Sequence, residues 1–506
     1  MTLGESVCKG SLQYPDKTAI IFGEQSWTYG QFDEITDRLA ASLIQLGIKI
    51  GDRVSLHLSN SAEIVFCYYA CFKIGAVAVP LNNRLKAQEL EYIINHSEAK
   101  ICISQADLFP EIQQVRTALP NIQQYYLLGN TTFPDVHDFA ELLEQSATGI
   151  TLPTVDQDAV AVILYTSGTT ARPKGVTHTH HSLELTARYH IEQVKLSDKD
   201  ITGIMLPLCH IFGFSLQLLT SVIAGASMVI IPRFEPGLVL QTLQQQRVTR
   251  LHGLPVMYSA LVNYPNADAY DCSLLVCFAG GDAVPVTLQQ RFNDIFGVEL
   301  MEGCGMTEVI PYSLNPHSGE KRVGSIGKVA TGMTLRLVDE QGKDVSQGEV
   351  GEVLVNSEAM MIGYWNNPEA TAATLQNDWL HTGDLAWMDE DGYYWFTFRK
   401  KELIIRGGSN ISPLEVEAVL YQHPAIKEAA VIGLPDQNWG QNVQAFVVLL
   451  DGYSITEGEL LDFVQERIAA YKVPETIVFL PELPKGLTGK IHRKTLKDWA
   501  TAKVRL

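Results

Sequence analysis

Residues 159–177 read AVAVILYTSGTTARPKGVT, an apolar run followed by a loop of small and hydroxylated residues. The apolar run 159–165 is typical of a buried strand. The loop after it leaves the end of that strand, where open α/β sheets bind ligands. Its hydroxyls and backbone amides, together with the cation of Lys174, can surround phosphate oxygens. The loop differs from a Walker A loop, because Pro173 precedes Lys174 and Gly175 follows it.

Outward from this strand, helix-like and strand-like segments alternate over the first 280 residues. Such alternation predicts α/β architecture with parallel, doubly wound sheets. One round of alternation precedes residue 159 and a second begins there, so we expect two sheets. Helices are predicted at 26–48 and 64–75, and strands at 52–58, 76–81, 100–104, 227–232, 250–255 and 274–281.

The pattern of apolar and turn residues changes after residue 320. Short strand-like runs with Gly and Asp turns over 324–357 predict an antiparallel, distorted β-barrel. A small α+β unit then follows, with capping boxes predicted at Ser412–Glu415 and Thr456–Glu459. Strands are predicted at 429–434 and 443–450. We therefore expect a large N-terminal domain over 1–398, a connection at 399–401 and a C-terminal domain over 402–506.

Composition limits the class of protein. A chain of 506 residues exceeds the ~250–300 at which one core stops growing. The formal charge of −19 argues against nucleic acid as the main partner. The eight cysteines form no CxxC pair, which favours reduced thiols in a cytoplasmic protein. The N-terminus has no apolar core of signal-peptide length, and the apolar stretch 216–232 is too short and too polar to span a membrane.

Seven motifs in order resemble those of the adenylate-forming enzymes, which include acyl-CoA synthetases, peptide-synthetase adenylation domains and beetle luciferases. The resemblance covers almost the whole chain. Besides the loop 164–177, the matching segments are PLCHIFG (207–213), CFAGGDAVP (277–285), GCGMTE (303–308), HTGDLAWMDEDGYYWF (381–396), FRKKELIIRGGSNISPLEVE (398–417) and PKGLTGKIHR (484–493).

The resemblance implies which residues bind ATP. Asp384 is expected on the ribose hydroxyls with Arg399 behind it, although a turn aspartate would look the same in sequence. Glu308 is the expected Mg²⁺ ligand, with Thr166 as a second oxygen donor; a solvated acid at a helix start is the alternative. The remaining nucleotide contacts implied are Ser167, Gly168, Thr169, Thr170, Lys174, Gly281, Asp282, Ala283, Glu302, Gly303, Cys304, Gly305, Met306, Thr307 and Lys490, with Thr169 also expected to assist catalysis.

The C-terminal segments resemble the moving parts of the family. Lys490 matches the adenylation lysine, whose ammonium would bridge the substrate carboxylate and the α-phosphate; a surface lysine is the alternative. Gly407 and Gly408 match the lining of the thiol tunnel. Both parts can reach one active site only if the C-terminal domain turns about Lys401.

The acid-binding pocket is expected around His210, which the resemblance also implies as a catalytic residue, although a lone histidine in an apolar stretch is usually a core residue. Peptide-synthetase domains tend to place an Asp after this histidine to hold the substrate amino group. This chain has Ile211, which favours a plain carboxylic acid. The other pocket residues expected are Phe212, Phe214, Gly281 and Gly303.

The chain departs from the family pattern at three positions. Ala171 replaces a loop glycine, and Phe398 replaces a frequent glycine before Arg399. Cys304 stands where the family commonly has a Tyr that stacks on adenine. A lost base stack is worth ~1–3 kcal/mol, so we expect weaker ATP binding, unless another ring supplies the stack.

These features predict an acyl-CoA synthetase that uses ATP, Mg²⁺ and CoA. Carboxylate and ATP would give acyl-AMP and pyrophosphate, and CoA would then take the acyl group. An acyl-carrier-protein ligase with the same first step, a catalytically silent adenylate-fold module and, less commonly, a luciferase-type oxygenase remain alternatives. The tail bears on the acceptor, because residues 485–506 carry seven basic residues against one acid: Lys485, Lys490, Arg493, Lys494, Lys497, Lys503 and Arg505 against Asp498.

Overall fold

The computed structural model describes most of the chain. It shows three sheets in the N-terminal part and a fourth in the C-terminal part, which confirms the predicted α/β class with a large N-terminal and a smaller C-terminal domain. The described residues are 1–129, 133–144, 150–166, 172–399, 402–406, 409–436, 439–486 and 489–504.

The first sheet has eight strands among the described residues and contains the run that opens the sequence analysis. That run forms Val160–Thr166, which lies parallel to Val77–Pro80 and antiparallel to Lys174–Thr179. The phosphate-loop motif therefore joins two antiparallel strands at the edge of a largely parallel sheet. The spatial order is Gly363–Tyr364, Lys174–Thr179, Val160–Thr166, Val77–Pro80, Arg53–His57, Ala99–Gln105, Gln124–Leu128 and His137–Asp138.

The second sheet has nine described strands, and its centre is parallel. The predicted strands 227–232, 250–255 and 274–281 are all present, each ending two residues earlier than predicted. The spatial order is Lys328–Val329, Val309–Leu314, Leu300–Met306, Val276–Ala279, Arg250–Gly253, Ile201–Ile204, Ser227–Ile230, Thr18–Phe22 and Gln25–Thr28.

Local sequence explains where the helices begin and end. Thr28 and Gln31 form a capping box at the start of Tyr29–Gln45, and Gly75 ends Ala62–Ile74 in the left-handed conformation. The other α-helices are Leu3–Gln13, Ala87–Ser97, Phe109–Val115, Glu141–Glu144, His180–Val194, Ile211–Gly213, Thr220–Ala224, Pro236–Gln245, Pro255–Val262, Val286–Phe296, Pro368–Thr374, Pro413–Leu420, Glu457–Gln465 and Arg493–Val504, with a π-helix at Phe214–Leu219.

Two smaller sheets follow. The predicted antiparallel region forms a five-stranded sheet of Thr334–Val338, Gly351–Asn356, Trp379–Met388, Leu375–Gln376 and Tyr394–Arg399. The C-terminal sheet consists of Ser409–Ile411, Ile404–Arg406, Gly440–Leu449, Ile426–Asp436 and Thr476–Phe479.

The two predicted capping boxes have different outcomes. Thr456 and Glu459 form theirs as predicted. The prediction at Ser412 is wrong, because its hydroxyl donates to the carbonyl oxygen of Thr397 at 2.7 Å and makes no cap hydrogen bond. Ser412 therefore ties the start of Pro413–Leu420 to the last strand of the N-terminal part. Among the described helices, none has the length and apolar character needed to cross a membrane.

Candidate active site

A cavity of about 120 Å³ lies at the carboxyl ends of strands in the nine-stranded sheet. Gly281 and Gly303 form part of its wall, and His210 and Phe212 also line it. Lys490 enters from the C-terminal domain. The structure thus brings together residues whose motifs are separated by about 280 positions in the chain.

Lys490 reaches the cavity from a short loop closed by backbone hydrogen bonds. The His492 amide donates to the Pro484 carbonyl, and the Gly486 amide donates to the Lys490 carbonyl, both at 2.7 Å. Burial lowers the pKa of Lys490, and the Arg399 guanidinium lowers it further. Its surroundings therefore disfavour the charged form of the lysine. An anionic substrate bound beside it would stabilise that charged form.

Glycines let backbone and lysine approach closely. Gly281 has φ of +83°, and a Cβ there would lie 2.9 Å from Leu254 Cδ2 and 3.5 Å from Lys490 Cε. A Cβ at Gly280 would lie 2.8 Å from the Gly303 carbonyl oxygen. Side chains at these positions would fill the space beside the lysine.

The two phenylalanines predicted for the pocket lie in different places. Phe212 lines the cavity, whereas Phe214 is fully buried and packs on Tyr68 with ring centroids 4.7 Å apart. Residues two apart on a helix point to nearly opposite sides, so only one of them can face the cavity.

His210 stands at the start of the helical segment and lines the cavity. Asn82 Nδ2 donates to His210 Nε2 at 2.8 Å. Burial and the nearby charges of Lys490 and Arg84 lower the pKa of His210 to about 4, so the ring is neutral at pH 7. A neutral imidazole can orient a carboxylate or an acyl oxygen by one hydrogen bond.

Asp384 lies in a polar network with Arg399, Tyr312 and Cys304, which we call the carboxylate network. Asp384 is fully buried, and its Oδ1, which has no hydrogen bond within the described residues, lies 2.9 Å from Arg399 Nε in an ion pair. The Tyr312 hydroxyl lies 2.8 Å from Asp384 Oδ2 and 2.9 Å from Cys304 Sγ. A hydroxyl has one hydrogen, and the carboxylate is the stronger acceptor. Tyr312 therefore donates to Asp384 and accepts from the thiol.

The pKa values agree with this assignment. Burial, followed by the negative charge of Asp384, raises the pKa of Cys304 to about 12, so the thiol keeps its hydrogen. The negative charge of Asp384 also raises the pKa of Arg399, so the guanidinium stays positively charged. Tyr312 itself is fully buried and contributes its hydroxyl to the network.

Glu308 is held by contacts that the motif does not reveal. Its Oε1 accepts a hydrogen bond of 2.6 Å from the Tyr364 hydroxyl, and Lys174 Nζ lies 4.8 Å from the centre of the Tyr364 ring. His178 Nε2 donates to the carbonyl oxygen of Thr307 at 2.8 Å, which fixes the backbone beside Glu308. Within the described residues, no cluster of three His, Cys, Asp or Glu side chains is arranged to hold a metal.

Glu302 braces the nucleotide-side loop from within. It is buried, accepts from the Val284 amide at 3.3 Å and accepts from Gln289 Nε2 at 3.1 Å. Burial raises the pKa of Glu302 to about 8. The side chain therefore supports the loop 282–284 from the sheet side.

The remaining predicted contacts are only partly described. Thr166 is the last residue of its strand and pairs with Lys174, and Cys304, Gly305, Met306 and Thr307 line the cavity. Asp282 and Ala283 line a cleft of about 1000 Å³ between the N-terminal part and the C-terminal domain. Ser167, Gly168, Thr169, Thr170, Ala171, Lys401, Gly407 and Gly408 lie outside the described residues.

The basic tail is partly neutralised inside its own domain. Lys485 pairs with Glu428 at 2.7 Å, and Arg493 makes two hydrogen bonds to the buried Glu417 at 2.8 and 3.0 Å. Lys490 faces the cavity. The tail therefore presents less positive charge to a partner than its sequence suggests.

Sequence reasoning missed Tyr312, Tyr364 and His178. Each contacts a predicted site residue from a distant part of the chain, at separations of 72, 56 and 129 residues for the bonds to Asp384, Glu308 and Thr307. Side-chain pairing over such distances leaves no local pattern.

Comparison with known proteins gives a consistent result. Residues 9–365 match the AMP-binding enzyme family, and residues 415–490 match the AMP-binding enzyme C-terminal domain. The chain is 35% identical to the long-chain-fatty-acid–CoA ligase of Bacillus subtilis (strain 168), covering 99% of this chain and 95% of the relative. It is 33% identical to the crotonobetaine/carnitine–CoA ligase of Salmonella heidelberg (strain SL476), covering 96% of each.

A solved structure is also similar throughout. The anthranilate CoA ligase AuaEII in complex with anthranoyl-AMP has a TM-score of 0.95 and 32% identity, covering 100% of this chain and 98% of that one. The lysine, glycine-lined cavity and buried aspartate–arginine pair described above lie in this shared framework. The chain belongs to the AMP-binding enzyme family and is an AMP-forming acyl-CoA synthetase, which joins a carboxylic acid to CoA through an acyl-adenylate.

Proposed function

We propose that the protein activates a carboxylic acid without an amino group, and that Lys490 is the residue on which adenylation depends. The observation that carries the proposal is the entry of Lys490 into the acyl cavity beside Gly281. No Asp or Glu lines that cavity among the described residues, so nothing there pairs with a substrate ammonium. A plain acid fits this lining.

The first step needs charge neutralisation more than a protein nucleophile. A carboxylate oxygen forms a bond to the α-phosphorus of ATP, and the bond from that phosphorus to the bridging oxygen breaks to release pyrophosphate. Lys490 is proposed to neutralise the charge that develops between carboxylate and α-phosphate. Asp384 and Arg399 are proposed to hold the ribose and phosphate, with Lys174 and the loop 166–170 on the outer phosphates.

Magnesium is proposed at Glu308, with Thr166 as a second oxygen ligand. The donor chemistry fits, because Mg²⁺ in nucleotide sites takes one or two protein oxygens and keeps several waters. Glu308 has one oxygen engaged by Tyr364, which fixes the direction of the carboxylate. The ion would supply charge neutralisation for the phosphates.

The second step is proposed to follow a turn of the C-terminal domain. The thiol sulfur bonds to the acyl carbon, the bond from that carbon to the AMP oxygen breaks, and the thiol proton is lost. Gly407 and Gly408 would line the thiol path. The turn is proposed at Lys401, between domains of residues 1–398 and 402–506.

A proline at the hinge tests the turn. Lys401→Pro, which fixes φ, should leave pyrophosphate exchange intact and slow thioester formation. Normal rates for both steps would place the turn elsewhere.

We favour free CoA over an acyl carrier protein as acceptor. Two of the basic tail residues are paired within their own domain, which weakens the patch that an acidic carrier protein would need.

We also propose a cytoplasmic location. The eight cysteines are all unpaired, as is usual in reducing compartments.

Pyrophosphate exchange tests these assignments. Acid-dependent ATP–pyrophosphate exchange should occur without CoA, and acyl-CoA should form at a comparable rate once CoA is added. Exchange that is absent for every acid would indicate a silent module. Acyl-AMP that persists with CoA, and discharges only to a phosphopantetheinylated carrier protein, would indicate the ligase.

A further inference from the structure

Three buried rings lie together at the inner end of the acyl cavity. His190 comes from the helix His180–Val194, and all three rings line the cavity. His252 and Phe278 come from the neighbouring strands Arg250–Gly253 and Val276–Ala279. The exposed fractions of His190, His252 and Phe278 are 1%, 3% and 2%, so the cavity does not open to solvent through them. We call these three residues the cavity floor.

The register of the sheet explains where the cavity ends. His252 and Phe278 are directly paired, so their side chains point to the same face of the sheet. Gly280 comes two residues after Phe278 and lines the cavity on that face, but it has no side chain to fill the space. A strand rises about 3.3 Å per residue, so the space beside Gly280 ends at the rings roughly 7 Å further in.

The rings of the cavity floor hold one another in place, and His252 is the central one. It stacks on Phe278 with ring centroids 4.9 Å apart, and it lies 5.2 Å from the ring of His190. Its Nε2 atom is 3.0 Å from that of His190. Phe212, which lines the side of the cavity, meets the His252 ring edge-on at 5.8 Å. A movement of His252 that admitted a longer acyl chain would therefore break all of these contacts.

The inner part of the cavity offers no charge to a substrate. Burial lowers the pKa of His190 to about 3 and also lowers that of His252, so both rings are neutral at pH 7. Leu216, Ile310 and Leu314 add apolar surface to the lining. A charged group at the far end of the acyl chain would be buried without a partner, which is costly. An apolar acyl group fits this lining.

The volume of the cavity limits the size of that group. It is about 120 Å³, which is smaller than the ~150 Å³ of an engineered apolar cavity that binds benzene. Protein interiors are close-packed and yield little to a larger guest. A single ring or a short aliphatic chain therefore fits between Lys490 and the cavity floor, whereas a long fatty acyl chain does not.

We propose that the cavity floor sets an upper limit on the acyl group, that the enzyme activates small apolar acids of about the size of hexanoate or benzoate, and that His252 determines this limit. This inference rests on the proposed function and specifies its substrate class. The carboxylate lies at Lys490, and the far end of the acyl group contacts the cavity floor.

A series of acids in the pyrophosphate-exchange assay tests the limit. The series contains butyrate, hexanoate, benzoate, decanoate and palmitate. Hexanoate or benzoate should give the highest kcat/KM, and decanoate and palmitate should be at least about tenfold lower, because they overfill a packed site. Palmitate used as well as hexanoate would contradict the limit and leave the synthetase function standing. Exchange with none of the acids would contradict both.

Variants of His252 test whether its ring sets the limit. His252→Ala extends the cavity towards Phe278 and should raise the ratio of kcat/KM for decanoate to that for hexanoate by at least about tenfold. His252→Phe keeps a ring at this position and removes both nitrogens, so it should retain the wild-type ratio. This pair of variants separates the volume of the ring from its hydrogen bonding.

The matched control is Leu251→Ala, on the same strand. Leu251 is fully buried, points to the opposite face of the sheet and does not line the cavity. Its truncation also leaves a void in a packed core, so it reproduces a general loss of packing without opening the acyl cavity. The ratio of decanoate to hexanoate should be that of the wild type.

Two results would overturn the assignment to His252. One is an unchanged ratio in folded His252→Ala, with folding checked by thermal unfolding. The other is an equal rise of the ratio in Leu251→Ala. If His252→Ala does not fold, the milder truncation His252→Val takes its place, and the wild-type series still decides whether the limit exists.

Discussion

The carboxylate network and a pair of buried histidines, His190 and His252, lie in the same active-site region and differ in how their polar atoms are partnered. In the network, Tyr312 donates to Asp384 Oδ2, and Asp384 Oδ1, which has no hydrogen bond within the described residues, lies 2.9 Å from Arg399 Nε in an ion pair. In the histidine pair, the Nε2 atoms are 3.0 Å apart, and the Nδ1 atom of each ring has no hydrogen-bond partner among the described residues. Opposite charges hold the first together, whereas burial lowers the pKa of both histidines and keeps the second neutral.

The network serves a substrate that does not vary, because every acid that the enzyme activates uses the same ATP. The acyl end of the site has to distinguish among acids. Substitutions in the network should therefore change ATP dependence equally for all acids.

Lys490→Ala should have the largest effect, because its ammonium is proposed to act on both the substrate carboxylate and the α-phosphate of ATP. Adenylation should fall by ~10²–10³-fold, as for a lost transition-state donor. Thioester formation from supplied acyl-AMP should be largely retained. Single-turnover measurements of each half-reaction check this, and equal loss in both would make the lysine structural.

Asp384→Asn should come next. It leaves the Arg399 guanidinium without its charge partner, and because Arg399 is about a third exposed we expect a loss of ~2 kcal/mol in the free energy of unfolding. KM for ATP should rise while the ranking of acids stays the same. Denaturant unfolding and exchange kinetics test this. A changed ranking of acids would show that the two regions are coupled.

Glu302→Gln should alter pH dependence more than activity. The folded-state pKa of about 8 exceeds the ordinary 4.5, so the folded protein binds the proton more tightly. The stabilisation is complete below pH 4.5 and is lost as the pH rises through 8. The wild type should lose ~1 kcal/mol or more over this range through Glu302, and Glu302→Gln should lose less. Identical profiles in urea unfolding would contradict the burial of a protonated carboxyl.

Tyr312→Phe should have the smallest effect. It removes one hydrogen bond to Asp384 and leaves the ring in place, at a cost of ~1 kcal/mol. KM for ATP should rise a few-fold for every acid alike. An effect as large as that of Asp384→Asn would mean that the hydroxyl, and not the arginine, orients the carboxylate.

Much of the fold follows from local patterns. The strand at Val160–Thr166, the helix ended by Gly75 and the capping box at Thr456 were all predicted, because each depends on neighbours in sequence. Ser412 was mispredicted because Thr397, its actual partner, comes from another element.

Site residues divide in the same way. Lys490, Asp384 and Glu308 carry motifs, so their identity is predictable from sequence, although their roles remain predictions. Tyr364 and the histidine pair carry none, since contacts across 56 and 62 residues are set by sheet order and helix packing. The periodicity of a helix could have separated Phe212 from Phe214, because residues two apart diverge in direction.

The closed loop that carries Lys490 has a consequence for how the enzyme could be observed. Backbone hydrogen bonds from the His492 amide to Pro484 and from the Gly486 amide to Lys490 close the loop, and the Arg493–Glu417 ion pair fastens its end to its own domain. Withdrawing the backbone of Lys490 from the cavity therefore requires a displacement of the domain as a whole. Adenylation is then possible only while the C-terminal domain is docked on the N-terminal part. ATP together with a substrate acid should shift the equilibrium towards this docked form. Amide protection at the docking face and the radius of gyration would then report substrate occupancy in solution.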